Sequence, residues 1–275
     1  MRTTFIALLA LAVVLACAIL PVVYGQSGAE YTWNRYRSLI GGIRVTTDVY
    51  FANDYGYFKS RAWSTLSYPV IRNSDNQLGV IIAGHAVYGV PGTPYYAWVF
   101  QPNFTILDYI NTITLANVNV SGDFAFVPYQ NVAPQLLYIT QDFNPRPIQL
   151  YINSTVRWSD LYPGMYVYKT GENTSTTSGT IETLIDTTPP YCVYQTVGGS
   201  LIVYHYCIYV NIVALPGDSG APLYEFYAGR DGSSWVGLVG HLLGSGINPY
   251  TGQPNIVFIS VEALYQSGYT PLTAG

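Results

Sequence analysis

A serine within a tight, glycine-flanked segment is the strongest chemical feature of this sequence. Residues 216–222 read Pro-Gly-Asp-Ser-Gly-Ala-Pro, with Ser219 at the centre. A turn built on such glycines exposes both the serine hydroxyl and bare backbone N–H groups. Acyl transfer needs this combination, because the hydroxyl attacks and the N–H groups stabilise the oxyanion that follows. Gly, Asp and Ser also favour ordinary surface turns, so the segment alone leaves both interpretations open.

A serine nucleophile needs a general base, and the chain contains only three histidines. His85 follows Gly84 and the apolar run 80–83, a pattern typical of a buried strand that delivers an imidazole to a cleft. His205 lies between two tyrosines and is predicted to be a structural strand residue. His241 follows Gly-Leu-Val-Gly, near a predicted strand end. We expect His85 to be the base.

The third group of such a triad is a buried acid that holds the other N–H of the imidazole. Asp123 stands at the head of the apolar run 124–127. A carboxylate in that position is either a turn residue or a partnered buried charge, because an unpaired one would be costly. Asp108 and Asp142 are competitors, but both lie in more polar, loop-like sequence. We expect Asp123 to be the acid.

The elements that position these residues are predicted to be strands. From Gly41 onward, short β-rich runs are separated by turn clusters roughly every eight to twelve residues, which is typical of an all-β sandwich or barrel. Only residues 261–266 predict an amphipathic helix. The proline-rich stretch 133–147 predicts a boundary, because proline cannot donate to a strand ladder. The predicted organisation is a signal peptide (1–25), an N-terminal segment (26–40) and two β-rich halves (41–140 and 141–275).

The composition and the N-terminal residues favour an exported protein. The 275-residue chain is 9% charged with a net charge of −4, so no basic surface argues for nucleic-acid binding. The apolar run 5–20, followed by Pro21 and Gly25, predicts a secretory signal peptide cleaved after about residue 25. The run is also nearly long enough for an uncleaved membrane anchor. We expect a secreted chain with no membrane association after cleavage, and the sequence leaves its oligomeric state open.

Two cysteines remain after the predicted cleavage, an even number that fits an oxidising compartment. Cys192 and Cys207 flank β-rich arms around the turn 198–200, and a hairpin there would place them opposite each other in a disulfide. Zinc binding is the weaker interpretation, because no Cys-x-x-Cys pair exists and the histidines are scattered. No metal or organic cofactor is expected. Four possible glycosylation sites also fit export: Asn103, Asn119, Asn153 and Asn173.

Three short motifs resemble those of bacterial chymotrypsin-fold serine proteases, the streptogrisin and α-lytic protease group. They are Ala-Gly-His (83–85), Gly-Asp-Phe-Ala-Phe (122–126) and Gly-Asp-Ser-Gly (217–220), in the His, Asp, Ser order of that fold. The similarity spans roughly residues 41–269. The resemblance implies an all-β fold of two six-stranded antiparallel Greek-key barrels and a short C-terminal helix, with the active site in the cleft between the barrels.

The resemblance also implies a function and roles for individual residues. The protein would be a secreted serine endopeptidase that acts on protein or peptide substrates through an acyl-enzyme, with His85, Asp123 and Ser219 as its triad. The N–H groups of Gly217 and Ser219 would form the oxyanion hole. Asp218 would hold the oxyanion loop through a buried ion pair. The sequence does not identify the partner of Asp218, and three arginines are candidates: Arg44, Arg146 and Arg157.

Residues 237–242 depart from the family pattern where it forms one wall of the primary specificity pocket. If Gly240 replaces the usual serine, one hydrogen bond to the catalytic aspartate is lost. The opposite wall, residues 213–215, carries no carboxylate. We therefore expect an uncharged pocket for apolar or small side chains, lined by Val213, Ala214, Leu215, Gly240, His241 and Leu242. A non-catalytic extracellular binding or surface protein on the same fold is the alternative, because a fold alone does not give a function.

Overall fold

The computed structural model describes residues 28–53, 56–88, 93–195, 201–229 and 232–275. The expected signal peptide and the predicted turn at 198–200 lie outside the described residues. The α-helices are α1 (His85–Tyr88) and α2 (Val261–Gln266), and α2 has the predicted bounds. Within these ranges no helix is long and apolar enough to cross a bilayer. The strands are β1 (Leu39–Gly41), β2 (Arg44–Asn53), β3 (Gly56–Arg72), β4 (Gln77–Ala83), β5 (Thr93–Phe100), β6 (Tyr109–Ile113), β7 (Val118–Asn119), β8 (Phe124–Pro128), β9 (Val132–Ile139), β10 (Pro147–Thr155), β11 (Tyr166–Gly171), β12 (Ser175–Ile185), β13 (Cys192–Gln195), β14 (Leu201–Tyr204), β15 (Cys207–Asn211), β16 (Pro222–Ala228), β17 (Ser234–Ile247), β18 (Pro254–Ser260) and β19 (Tyr269–Pro271).

The second half of the chain forms a closed barrel. Its strands follow the order β17-β16-β11-β12-β15-β18, and pairing of β17 with β18 closes the ring. Side chains alternate between barrel interior and surface, as the period of a strand requires: in β11, Tyr166 is exposed and Val167 is buried. The barrel core contains Val167, Ile181, Ile208, Val210, Leu223, Val239 and Phe258.

The first half forms a curled sheet, in the order β6-β5-β2-β3-β4-β8-β7. The 17-residue strand β3 pairs with β2 over its first part and with β4 over its second. A shift in register between Leu66 and Tyr68 separates the two parts, and such bulges let a sheet bend. The predicted all-β fold with two barrels and a short C-terminal helix is therefore confirmed, with one barrel closed and the other a curled half-barrel.

Several segments tie the two halves together. Strand β10 pairs with β9 and runs parallel to β17, while the C-terminal strand β19 returns to pair with β3. The stretch 133–147 thus belongs largely to the β9–β10 hairpin, and a domain boundary there stays a prediction. Between the sheets lies a shared aromatic-rich core: Tyr68, Phe124, Phe126, Leu150, Tyr224, Val261 and Leu264.

The predicted disulfide between Cys192 and Cys207 is present. Its predicted geometry was wrong, because Cys192 lies opposite Tyr204 in the β13–β14 hairpin and not opposite Cys207. Cys207 begins β15, after a bend that contains His205. The disulfide therefore fastens the small hairpin to the closed barrel.

Candidate active site

His85 and Asp123 meet where β4 ends and β8 begins. Gly84 separates β4 from α1, and a Cβ atom there would lie only 2.8 Å from the backbone nitrogen of Phe124. The Gly84 N–H donates to the Asp123 carbonyl at 2.9 Å, which holds the two strand ends together. Asp123 has a φ of +48°, a left-handed conformation in which aspartate is several-fold enriched among residues other than glycine. Both predicted residues therefore lie at strand ends, as expected.

The Asp123 carboxylate holds the imidazole of His85 in one orientation. Its Oδ2 accepts from the His85 Nδ1 at 2.8 Å, and its Oδ1 accepts from the His85 backbone N–H at 2.9 Å. Because Nδ1 carries the hydrogen, Nε2 is left as the basic nitrogen. Burial alone would lower the pKa of His85, but the adjacent carboxylate raises it above its ordinary value. The ring is 23% exposed, so Nε2 can meet a ligand.

Ser219 lies in a loop shaped by two glycines with left-handed backbones. Gly217 has a φ of +102° and Gly220 a φ of +85°, conformations that L side chains rarely adopt. Within the described ranges, the N–H groups of Gly217 and Ser219 donate to no protein acceptor. Two unpaired N–H groups beside a half-buried serine have the donor chemistry of an oxyanion hole.

Thr65 of β3 anchors this loop from the other half of the molecule. Its N–H donates to the Ser219 carbonyl at 2.8 Å, and its hydroxyl donates to the Gly217 carbonyl at 3.1 Å. The hydroxyl in turn accepts the Glu172 N–H at 2.9 Å. Thr65 thus fixes the backbone on both sides of Asp218, a role that the sequence analysis did not identify.

The partner of Asp218 is Lys169, and not one of the three candidate arginines. The Lys169 Nζ lies 3.1 Å from the Asp218 Oδ2, and both side chains are fully buried. Burial lowers the pKa of Lys169, and the attraction of Asp218 opposes this shift. The arginines pair elsewhere, as Arg44 with Glu172, Arg146 with Asp142 and Arg157 with Glu262. The sequence analysis did not identify Lys169.

Further donors saturate the Asp218 carboxylate. The Thr174 hydroxyl lies 2.6 Å from Oδ2, which also accepts the Leu215 N–H at 3.0 Å. The backbone N–H groups of Asn173 and Thr174 donate to Oδ1 at 2.9 and 3.1 Å. The 171–175 turn and the Ser219 loop are therefore joined through one buried carboxylate.

A cavity of about 220 Å³ opens beside Ser219. It is lined by His85, Ala214, Leu215, Pro216, Ser219, Leu242, Leu243, Gly244, Ser245 and Ile256. Three of the predicted pocket residues, Ala214, Leu215 and Leu242, are among them. Val213, Gly240 and His241 do not line this cavity, and their place in a specificity pocket stays a prediction.

A β-bulge explains why the predicted wall was displaced along the sequence. Leu242 pairs with Phe258 and Gly244 with Val257, so Leu243 is an extra residue in β17. Consecutive residues 242–245 consequently face the same cavity. Alternation of side chains, on which a sequence-based assignment depends, fails at such a position.

His241 points away from the cavity into the core behind Asp123. Its Nε2 lies 3.0 Å from the Gly122 carbonyl, which can only accept, so Nε2 carries the hydrogen. Its Nδ1 then accepts from the Tyr68 hydroxyl at 3.2 Å. Burial lowers the pKa of His241, which favours the neutral ring. His241 is thus a core residue that supports the Asp123 turn.

Tyr88 is a further residue of this site that sequence reasoning missed. Its hydroxyl donates to the Asp123 Oδ1 at 2.7 Å and lies 2.9 Å from the Tyr204 hydroxyl. His85 and Tyr88 are the first and last residues of α1, and a spacing of three places them on the same helix face. The four-residue helix is too short for a periodic signal, so the sequence gives little warning of this contact.

The predicted glycosylation sites differ in exposure, and glycosylation stays a prediction. Asn103, Asn153 and Asn173 are exposed, while Asn119 is half-buried with its amide bonded to Ser267 and Gly122. Across the described part of the chain, no group of three or more His, Cys, Asp or Glu side chains could hold a metal ion.

Comparison with known proteins identifies the fold. No protein-family model and no curated protein sequence matches the chain. The solved structure of Thermobifida fusca protease A is 16% identical, with a TM-score of 0.50 over 86% of this chain and 100% of that one. Nocardiopsis protease (18% identity, TM-score 0.49) and Cellulomonas bogoriensis chymotrypsin (19%, 0.46) cover the same shares. The likeness to the Thermobifida protein shows that this chain has the fold of bacterial chymotrypsin-like serine proteases.

Proposed function

We propose that the protein is a serine endopeptidase with His85, Asp123 and Ser219 as its catalytic triad. The observation that carries the proposal is that His85 and Ser219 line one cavity, with the imidazole held on Asp123 at 2.8 Å. The fold shared with Thermobifida fusca protease A supports it. No hydrogen bond joins Ser219 to His85, and such contacts often tighten only when substrate binds.

The proposed reaction proceeds through an acyl-enzyme. The Ser219 Oγ attacks the peptide carbonyl carbon while the His85 Nε2 takes the hydroxyl proton. The N–H groups of Gly217 and Ser219 stabilise the oxyanion. The imidazolium then gives its proton to the leaving amine as the C–N bond breaks, and water, activated by the same nitrogen, releases the acid product.

We further propose that the cavity selects uncharged, apolar side chains on the acyl side of the cleaved bond. Apart from His85, all the residues that line it are uncharged, and most are apolar. A charged side chain placed there would lose hydration without gaining a partner, which costs several kcal/mol. The cavity therefore supports cleavage after apolar residues and rejection of lysine, arginine, aspartate and glutamate.

Export is the third part of the proposal. The Cys192–Cys207 disulfide is of the kind that persists in oxidising compartments. Together with the apolar N-terminal run and the exposed sequons, it supports a secreted protein.

Labelling with a fluorophosphonate probe tests the proposal. We expect stoichiometric labelling of the folded chain, and loss of labelling in Ser219→Ala and His85→Ala. Ser245→Ala is the matched control, because Ser245 lines the same cavity and is not assigned a catalytic role. Peptide anilides that differ only in the acyl-side residue (Leu, Phe, Lys or Glu) then test the pocket. A folded wild-type protein that stays unlabelled would contradict catalysis and favour a non-catalytic binding protein on this fold.

A further inference from the structure

We propose that Tyr88 is a positioning residue for the triad, held in place by Tyr204. The inference rests on the proposed function and extends it to residues outside the triad. The Tyr88 hydroxyl lies 2.7 Å from the Asp123 Oδ1, on the oxygen that does not bind the His85 ring. Tyr88 does not line the Ser219 cavity, so it acts on His85 only through Asp123.

The direction of each hydrogen bond follows from the carboxylate. A carboxylate only accepts, so the Tyr88 hydroxyl donates to Asp123, and its oxygen is free to accept from the Tyr204 hydroxyl at 2.9 Å. Burial and the charge of Asp123 raise the pKa of Tyr88 far above its ordinary value, so the phenol keeps its proton. The chain of donors runs from Tyr204 through Tyr88 to Asp123.

This contact supplies the kind of donor that is lost if Gly240 replaces the serine of the family pattern. A serine in place of Gly240 cannot be accommodated, since a Cβ atom there would lie 2.2 Å from the Ile259 carbonyl oxygen. Asp123 instead receives its side-chain hydroxyl donor from α1, the helix that also carries His85. One helical turn therefore presents both the base and the hydroxyl that orients the acid.

Tyr204 connects this arrangement to the disulfide-bonded hairpin. It is fully buried at the end of β14 and pairs with Cys192, whose disulfide reaches Cys207 of the closed barrel. The other titratable groups beside Asp123 are His85 itself and His241, which donates to the Gly122 carbonyl from β17. The β13–β14 hairpin is thus connected to Asp123 through the hydroxyl groups of Tyr204 and Tyr88.

The test measures the pKa of His85 in the Tyr88→Phe variant. NMR of histidine-labelled protein monitors the titration. Removing the phenol leaves the negative charge of Asp123 less stabilised, so the imidazolium is favoured and the pKa of His85 rises. On a peptide substrate, the acid limb of kcat/KM should move to higher pH, with kcat about tenfold lower and KM unchanged. Tyr36→Phe is the matched control, because its half-buried hydroxyl donates to the Tyr31 carbonyl and not to Asp123.

Tyr204→Phe provides a second, milder variant that keeps Tyr88. Alone it should shift the titration of His85 in the same direction by less, and in the Tyr88→Phe background it should add nothing. An unchanged His85 titration in both variants, or a rate loss that is uniform across pH, would overturn the positioning role. NMR detects the titration of His85 without any turnover of substrate. If the wild-type protein is not labelled by the fluorophosphonate probe, the proposed function is refuted, but the NMR titration still decides the role of Tyr88.

Discussion

The candidate site around Ser219 contains two buried carboxylates, Asp123 and Asp218, and their side-chain partners differ. Asp123 accepts from a histidine and a tyrosine, and no lysine or arginine of the described ranges pairs with it. Asp218 is paired with the buried ammonium of Lys169 and saturated by backbone and hydroxyl donors. One carboxylate is therefore hydrogen-bonded to a histidine, the side chain whose ordinary pKa lies closest to neutral pH, and the other is paired with a buried lysine.

The difference in partners suggests different roles: Asp123 supports proton transfer in the proposed mechanism, and Asp218 supports the structure of the Ser219 loop. Asp123 lies at the end of the curled half-barrel, where His85 accepts and returns a proton in the proposed mechanism. Asp218 lies in the loop that leads into the closed barrel, where its carboxylate joins the Ser219 loop to the 171–175 turn. A loop ordered by a buried ion pair can present fixed N–H dipoles, and a histidine held on a carboxylate can accept and return a proton.

Replacing each carboxylate by its amide should separate these roles with the largest effects. We expect Asp123→Asn to stay folded but to lose on the order of 10⁴ in kcat, because an amide no longer fixes the His85 tautomer. Asp218→Asn leaves Lys169 buried without a counter-charge, and should lower the free energy of unfolding by roughly 3–5 kcal/mol. Urea unfolding and fluorophosphonate labelling, applied to both variants, measure the two effects.

A matched surface pair provides the reference for this comparison. Arg157 and Glu262 are 3.8 Å apart, with the arginine side chain 56% exposed. Arg157→Ala should cost no more than about 1 kcal/mol, as exposed pairs do. The comparison fails if Asp123→Asn unfolds the protein, or if Asp218→Asn is as stable as Arg157→Ala.

The sequence indicated the residues of the proposed triad more clearly than the residues that contact and support them. His85, Asp123 and Ser219 stand next to glycines at the ends of apolar runs, and such local patterns are visible in one dimension. Lys169 lies in the middle of a strand, and nothing in its neighbours indicates that it faces Asp218, 49 residues away. A buried lysine is also rare, which is why only arginines were considered.

The fold was predictable in class and less so in detail. Regular strand and turn spacing indicated an all-β protein, and the helix at 261–266 was placed correctly. The bulge at Leu243 was not visible, because a single extra residue leaves no compositional signal but reverses which side chains face the cavity. His241 was consequently assigned to the pocket, although it is a core residue.

The two histidines near Asp123 should give stability a pH dependence of opposite sign. Burial lowers the pKa of His241, so its contribution is complete above about pH 6.5 and is lost as the pH falls towards its folded value. Asp123 raises the pKa of His85, so its contribution is complete below about pH 6.5 and is lost as the pH rises through its folded value.

Urea unfolding of His241→Gln and His85→Gln between pH 5 and 8 measures these signs. His241→Gln should be less damaging at pH 5 than at pH 7.5, with a slope of at most about 1.4 kcal/mol per pH unit. His85→Gln should be more damaging at pH 5. The wild-type protein, unfolded under the same conditions, is the reference. Slopes of the same sign for the first two variants would contradict the assigned environments.

The smallest expected effect concerns the orientation of one peptide beside Asp218. The Asn173 side-chain Nδ2 donates to the Pro216 carbonyl at 3.0 Å. That carbonyl belongs to the same planar, trans peptide as the Gly217 N–H, so holding the oxygen fixes the N–H on the opposite side. The Asn173 backbone N–H bonds Asp218 independently and survives substitution of the side chain.

We therefore expect Asn173→Ala to lower kcat about twofold to tenfold with little change in KM or in unfolding free energy, since one neutral hydrogen bond is lost. Steady-state kinetics on an apolar peptide anilide measures this. Asn153→Ala is the matched control, because Asn153 is also exposed and also begins a sequon. An equal loss in Asn153→Ala would attribute the effect to a missing glycan. A change confined to KM would place Asn173 in substrate binding. Lys169 and Thr65 would then be the residues left to explain how the Ser219 loop is held rigid.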